Sequence, residues 1–455
     1  MPLDMKDIQG LIHHSYHYPK VRNLLFEITN VVAGQKLLKF IVPMTTHAEV
    51  TLDPKPDFLL NVGVSYKGML ALGANSDLMD RFPSEFKEDP DPNTMGDVGP
   101  SAPELWWNKR FQTSEVHLVI HLYGLSMDAL DEITMQIRVE ADGLRELLPT
   151  LKGGAIEGGS IGAIPGEIHF GYRDGFSQPD VRWSDNPEAP GTVDYRHFIL
   201  GYPTSDIPSQ PKAYSSVPAS VRAAEFAKNG CYSVFRWLYQ DVARFNKFLA
   251  IEGPKTFPKL PQENAQELLA AKLMGRWRDG TPLIKSPTSP NPACVEDNSF
   301  GYTEDPNGLV CPVSSHIRVN NPRDQDLDGP SKLLGGVPRV IRRGVTYGSK
   351  LVGTEDDHEE RGLAGMFLCA SIQRQFYKLT TWMNENSFSP SFTDVRAQDP
   401  LANRHVPDAS SEFLIPTVSG VKRVSLQDFV STKGTAFFLL PSLAALRRLA
   451  VGDVR

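Results

Sequence analysis

Cysteine is scarce and scattered: Cys231, Cys294, Cys311 and Cys369 are the only four in 455 residues, with no Cys-x-x-Cys pair. That argues against a thiolate metal site and against a disulfide framework, so the thiols are expected to be reduced core residues. Long apolar runs are also missing, and no membrane-spanning helix is expected. Excess positive charge is absent: the formal net charge is -7, whereas a nucleic-acid footprint is basic. No low-complexity tract occurs. The opening Met1-Pro2-Leu3-Asp4-Met5-Lys6 lacks a basic stretch followed by an apolar one, so no secretory leader is expected. The expected location is cytoplasmic, although a trimmed, secreted form would read the same way.

What remains is a globular composition, 40% hydrophobic and 22% charged. At this length two large domains are the default. Segments 24–29 and 116–122 are apolar and β-branched and predict strands. Helical character follows over 125–138, with Ser126 as the N-cap. The second half repeats the order, with a strand around Val234 and a helix over 240–249. A further strand is expected at 366–370, a helix at 372–383, and an apolar segment at 437–449 that docks on the core. Strand followed by helix in both halves suggests two related α+β modules. Segment 184–211, rich in Pro, Asp and Ser, is the linker candidate, while 83–103 and 282–307 read as surface insertions.

Chemistry concentrates in three places. Gly171-Tyr172-Arg173-Asp174-Gly175-Phe176-Ser177-Gln178-Pro179 puts a carboxylate on tight backbone between glycines. His316-Ile317-Arg318 supplies an imidazole, and Ile341-Arg342-Arg343-Gly344 a guanidinium. Taken singly, Asp174 reads as a turn residue, His316 as a capped histidine and Arg342 as half of a surface ion pair. Together they form the set that haem peroxide chemistry needs: an axial ligand, an acid-base group and a fixed cation. Other motifs are weaker. Asp324-Gln325-Asp326-Leu327-Asp328-Gly329 begins like a calcium loop, but its twelfth position is Gly335 rather than glutamate. Gly158-Gly159-Ser160-Ile161-Gly162 lacks a P-loop lysine and reads as shaping the approach to the Asp174 turn. The acidic run 355–360 has a solvated loop as its default reading, with manganese binding the sharper alternative. His13, His14 and His17 have metal-like spacing without a completing acid.

The three chemical segments, in this order, resemble those of the dye-decolorizing peroxidases, a haem family. Gly171-Tyr172-Arg173-Asp174-Gly175 matches the family's Gly-x-x-Asp-Gly, and 316–323 resembles the segment carrying the proximal histidine. Segment 341–348 is similar to the distal-arginine segment, and 7–11 looks like the opening strand. The resemblance implies an α+β fold of two ferredoxin-like domains with antiparallel sheets and peripheral helices. Residues 1–190 would end in the distal Asp loop, and 191–455 would hold the haem. It implies His316 as the axial iron ligand, Asp174 as the distal acid-base group and Arg342 as the distal cation. Arg342 is preferred to Arg343 because the motif reads Arg-x-Gly. Arg318 becomes a partner for a haem propionate, Met366 and Leu368 an apolar ceiling over the distal face, and Tyr347 a surface electron-transfer tyrosine. The implied cofactor is haem b. The implied partners are hydrogen peroxide and small-molecule donors such as dyes and phenolics. One departure stands out: relatives place an acid in the helix after the Met366 strand, where this chain reads Ala370-Ser371-Ile372-Gln373-Arg374-Gln375-Phe376. The acceptor behind His316 is therefore left open among a carbonyl, Asp394 and Asp399. Two rivals stand beside the peroxidase: a haem carrier or iron-release protein, and a non-haem scaffold.

Overall fold

The computed structural model describes residues 3–148, 155–161, 166–185, 191–202, 219–327, 337–385, 399–402 and 412–454. Asp394 and the calcium-loop positions from Asp328 to Gly335 lie outside these residues. In the first half, runs of large apolar residues form β1 (Lys20–Glu27), β2 (Phe58–Val64) and β3 (Leu118–Gly124), followed by short β4 (Arg145–Glu146) and β5 (Ile156–Gly159). The second half adds β6 (Cys231–Gln240), β7 (Ile341–Arg342), β8 (Val345–Tyr347), β9 (Gly362–Cys369) and β10 (Val430–Leu440). These strands make one antiparallel sheet in the order β8-β9-β6-β10-β2-β3-β1-β4, with β5 also on β1 and β7 also on β9. The halves meet where Leu439 pairs with Val64.

The two ends of this sheet approach one another. The Thr346 hydroxyl on β8 donates to the Gly159 carbonyl on β5. Gly158 is needed for space, since a Cβ there would lie 2.5 Å from the Thr346 carbonyl oxygen. The glycine run thus serves sheet closure, a packing role that no local pattern reveals.

Helix α1 (Val31–Ile41) packs on α2 (Met127–Glu140), and α2 packs on β1 and β3, the two helices burying Leu37, Leu38, Leu130, Ile133 and Ile137. Ser126 caps α2, its hydroxyl accepting from the Ala129 amide at 3.1 Å. The second half contributes α3 (Val242–Thr256), α4 (Gln262–Met274), α5 (His316–Asn320), α6 (Lys378–Glu385) and α7 (Leu443–Val451). The predicted helix 372–383 begins as a wider π-turn over Ile372–Tyr377 before becoming α6. Segment 437–449 divides into the end of β10 and α7.

Two expectations are corrected here. Segment 7–11 is not a strand: Gln9 makes a single bridge to His47, and Gly10–His13 is a helical turn. Nor is the described part of 184–211 a free linker. Tyr195, Phe198, Ile199, Leu200 and Tyr202 are buried in the main core, because this stretch is as apolar as a strand despite its proline-rich flanks.

A second core sits between α3 and α4 and roots the Asp174 turn. Phe170 packs on Phe245 with ring centroids 4.4 Å apart, and the Tyr172 hydroxyl donates to the Ala270 carbonyl at 2.8 Å. Each buried aromatic contributes about 1.5–3 kcal/mol by leaving water, so the turn has a firm base.

Candidate active site

The Asp174 turn is built from backbone conformations that only glycine adopts freely. Gly171 and Gly175 have φ of +82° and +96°. A side chain at Gly171 would also strike the Arg278 guanidinium, 2.9 Å from an ideal Cβ, whereas nothing lies near Gly175. The Asp174 amide donates to the Gly166 carbonyl at 2.8 Å. Its carboxylate faces Arg342 in a two-pronged pair, Nη2–Oδ1 at 3.0 Å and Nη1–Oδ2 at 3.2 Å. Burial alone would raise the Asp174 pKa, but the Arg342 guanidinium and the Gly175 amide hold it below the usual value.

Strand parity separates the two arginines. Arg342 on β7 points toward Asp174, and its amide donates to Gln178 Oε1 at 3.0 Å. Arg343 points the other way and is buried, with Nε 2.8 Å from the Leu11 carbonyl. It ties down the N-terminal segment and takes no part in the cavity.

The opposite wall begins at α5, where His316 is the first helical residue. Its Nδ1 lies 2.7 Å from Asp399 Oδ2. A carboxylate only accepts, so Nδ1 carries a proton, and in the neutral ring Nε2 is then the nitrogen with the lone pair. No described residue hydrogen-bonds Nε2. Asp399 has no side-chain exposure, and its other oxygen accepts from the Leu401 amide at 2.9 Å. Burial works against the imidazolium, but Asp399 outweighs it and the His316 pKa lies above its ordinary value. Of the three acceptors left open by the sequence, Asp399 is the one in contact.

Between these walls lies a cavity of about 310 Å³, lined by Asp174, Arg342 and His316 together with Leu363, Phe367 and Ile317. The side chains of Asp174, Arg342 and His316 are 41%, 32% and 32% exposed, which reflects opening onto this cavity. Three expected roles are not met. Arg318 is fully buried and its guanidinium is already committed: Nε meets Gln325 at 2.7 Å, and Nη1 meets the Cys311 carbonyl at 2.6 Å and Asp305 at 3.2 Å. It is a structural strut, fully buried and not part of the cavity lining. Met366 and Leu368 point into the main core on the far face of β9, so the ceiling belongs to Leu363 and Phe367, one residue out of phase. Tyr347 is 7% exposed and packs on Trp237 at 6.2 Å between centroids, so it is not a surface residue.

Arg276 and Arg339 also line the cavity, and no motif in the sequence singles them out. Burial lowers the pKa of each to about 10. Neither has a carboxylate partner among the described residues, which suits an anionic edge of a ligand. Among the described residues no group of three His, Cys, Asp or Glu side chains could hold an ion. Asp324 instead receives the Thr303 hydroxyl at 2.7 Å, and Asp357 pairs with Arg361 at 2.7 Å.

A cavity with a largely apolar lining, an imidazole on one wall, an ion pair on the other and two arginines without a carboxylate partner among the described residues suits a haem with its iron and carboxylates. No described helix is long and apolar enough to cross a membrane. No protein-family model matches the chain. A dye-decolorizing peroxidase of Mycena epipterygia is 30% identical over 487 residues, covering 98% of this chain and 87% of that protein. Among solved structures, an ancestral D-type dye-decolorizing peroxidase superposes with a TM-score of 0.81 at 28% identity, covering 98% and 99% of the two chains. A dye-decolorizing peroxidase in complex with 2,6-dimethoxyphenol has the same fold, with a TM-score of 0.81 at 24% identity and coverage of 98% and 100%. An α+β chain matched along nearly its whole length, with a cavity suited to haem, belongs to the dye-decolorizing peroxidase family and is a haem-dependent peroxidase.

Proposed function

We propose that this chain uses hydrogen peroxide to oxidise dyes, phenolics and similar one-electron donors, with haem b as cofactor. The observation that carries the assignment is the placement of the Asp174–Arg342 pair across one cavity from the His316–Asp399 pair. His316 Nε2 would hold the iron. Arg339, which lines the cavity, would receive the carboxylates. Haem, when bound, supplies the iron that takes peroxide and accepts its oxidising equivalents.

The chain's own residues manage protons and charge. Ionised Asp174 accepts the proton of the nearer peroxide oxygen and returns it to the farther one, which leaves as water. Arg342 keeps a positive charge where negative charge develops as the O–O bond breaks. Asp399 accepts from His316 Nδ1, keeping the ring in one tautomer and making Nε2 more basic. Two donor molecules then give one electron each. Phenols such as the 2,6-dimethoxyphenol bound by the structural relative are of the size and chemistry expected. The cytoplasmic location, the 1–190 and 191–455 division and a haem held by the second part belong to the same proposal. A carrier would have no use for the Asp174–Arg342 pair, which counts against that rival.

The test is an absorption spectrum of haem-loaded protein and of His316→Ala. A strong Soret band that is lost or shifted in the variant supports the assignment. An unchanged band would place the ligand elsewhere and overturn the roles of both walls.

A further inference from the structure

The Asp174 turn is flanked by part of the 282–307 insertion, and the contacts converge on Asn298. Its Nδ2 donates to the Phe176 carbonyl at 3.1 Å, and the Ser177 hydroxyl donates to its Oδ1 at 3.2 Å. Asn298 is itself gripped from behind. Arg276 Nη2 donates to Oδ1 at 2.7 Å, and Arg323 Nη1 donates to the Asn298 carbonyl at 2.7 Å. Both guanidiniums lie over the Phe300 ring, 5.2 and 3.8 Å from its centroid. Arg276 is only 3% exposed and also donates to the Gly280 and Asp297 carbonyls at 2.8 and 3.0 Å. It cannot shift without breaking several bonds at once.

On its other side the same turn is held by Arg342. The Ser177 carbonyl accepts from Arg342 Nη2 at 3.4 Å, and Gln178 accepts from the Arg342 amide at 3.0 Å. Gly175, immediately after Asp174, has a left-handed backbone with open space around it, so packing does not hold the turn at that point. The direction of the Asp174 side chain therefore depends on the anchors to either side. Ser177 links the two, its carbonyl serving Arg342 and its hydroxyl serving Asn298.

We propose that Asn298 is a positioning residue for the distal turn, clamped by Arg276 and Arg323 so that the Asp174 carboxylate stays aimed into the cavity. This deepens, and rests on, the reading of Asp174 as the proton carrier. The insertion thereby supplies the wall of the turn that β7 does not.

Two variants separate the clamp from simple packing. Asn298→Asp keeps acceptors for both arginines but loses the N–H that meets the Phe176 carbonyl, while Asn298→Ala loses both contacts to the turn. Amide hydrogen exchange over 175–178 is expected to quicken roughly three- to tenfold in each, with or without haem, as for the loss of about one hydrogen bond. The bimolecular rate with hydrogen peroxide should fall by a similar factor, while the donor KM and the Soret band stay at parent values. If neither variant folds, Ser177→Ala removes the turn's half of one contact and is read the same way. Parent-like exchange in the variants overturns the clamp, and faster exchange with an unchanged peroxide rate reduces Asn298 to a structural contact. Should Asp174→Asn react with peroxide at the parent rate, the proton-carrier reading falls, whereas the exchange measurement still decides whether Asn298 holds the turn.

Discussion

The two walls of the cavity hold their charged groups in opposite ways. On the His316 wall the carboxylate is fully buried, and both Asp399 oxygens are occupied, one by the imidazole and one by the Leu401 amide. On the Asp174 wall the carboxylate opens onto the cavity, and its main partner, Arg342, opens onto the same space. A buried acid whose bonds are all made cannot reorient, which suits a group that fixes a ligand's tautomer. A carboxylate on a glycine-flanked turn, facing open space, can give and take a proton. Oxygens, neighbours and exposure thus distinguish these two acids more sharply than residue type does.

That contrast breaks first at Asp174. Asp174→Asn keeps the shape but removes the base, and the stopped-flow rate with hydrogen peroxide should fall about 10²–10⁴-fold. A parent rate would mean that the open wall does no proton work. Asp399→Asn attacks the closed wall. The amide still fills the space but leaves His316 without its anion, so haem affinity or turnover should drop about 10–100-fold. An Asp399→Asn protein that titrates with haem and turns over like the parent would leave the buried acid without influence on the ligand.

The pH dependence sharpens the comparison on the open wall. Burial pushes the Asp174 carboxyl up and Arg342 pulls it down, with a net lowering. The ionised base therefore persists below the ordinary aspartate range, and the peroxide reaction should lose rate only as pH falls through that lowered value. The stability that this pair contributes has the same sign: it is present above the unfolded-state pKa and fades as pH falls through the folded one. In Arg342→Leu the main influence opposing burial is lost, although the Gly175 amide remains, so the acid limb of the rate profile should move upward. A limb that stays in place would separate Asp174 from the observed titration.

The legibility of these parts differs for physical reasons. Asp174 and Arg342 could be singled out because short local motifs carry them, a glycine-flanked aspartate and an Arg-x-Gly segment. The turn holds Gly171 and Gly175 at positive φ, and Arg343, the residue after β7, turns away from Arg342 to bond the N-terminal segment. Asp399 could be named only as one option among three, since it meets His316 across 83 residues and no local pattern encodes that contact. Arg318 misled because a cation two residues from a ligand is as easily a strut, and Asp305, Gln325 and the Cys311 carbonyl had already claimed it. Tyr347 and segment 195–202 misled through burial, which depends on partners distant in sequence. Sheet closure at Gly158 depends likewise on β8, far along the chain.

The smallest effect tests the most instructive error. In β9, Leu363, Met366, Phe367 and Leu368 are all apolar, and the strand is covered on both faces, so no alternation of polar and apolar residues sets its phase. Register settles what composition could not: Phe367 pairs with Arg342, and both line the cavity, whereas Met366 and Leu368 join the main core. Met366→Leu is a near volume-conserving change and should cost less than about 1.5 kcal/mol in denaturant unfolding, with the Soret band unmoved. Phe367→Leu should leave stability within a similar margin but shift the Soret band and the donor KM, because the lost ring faces the ligand. A Met366→Leu protein with an altered spectrum, beside a silent Phe367→Leu, would restore the ceiling to the face that the sequence first suggested.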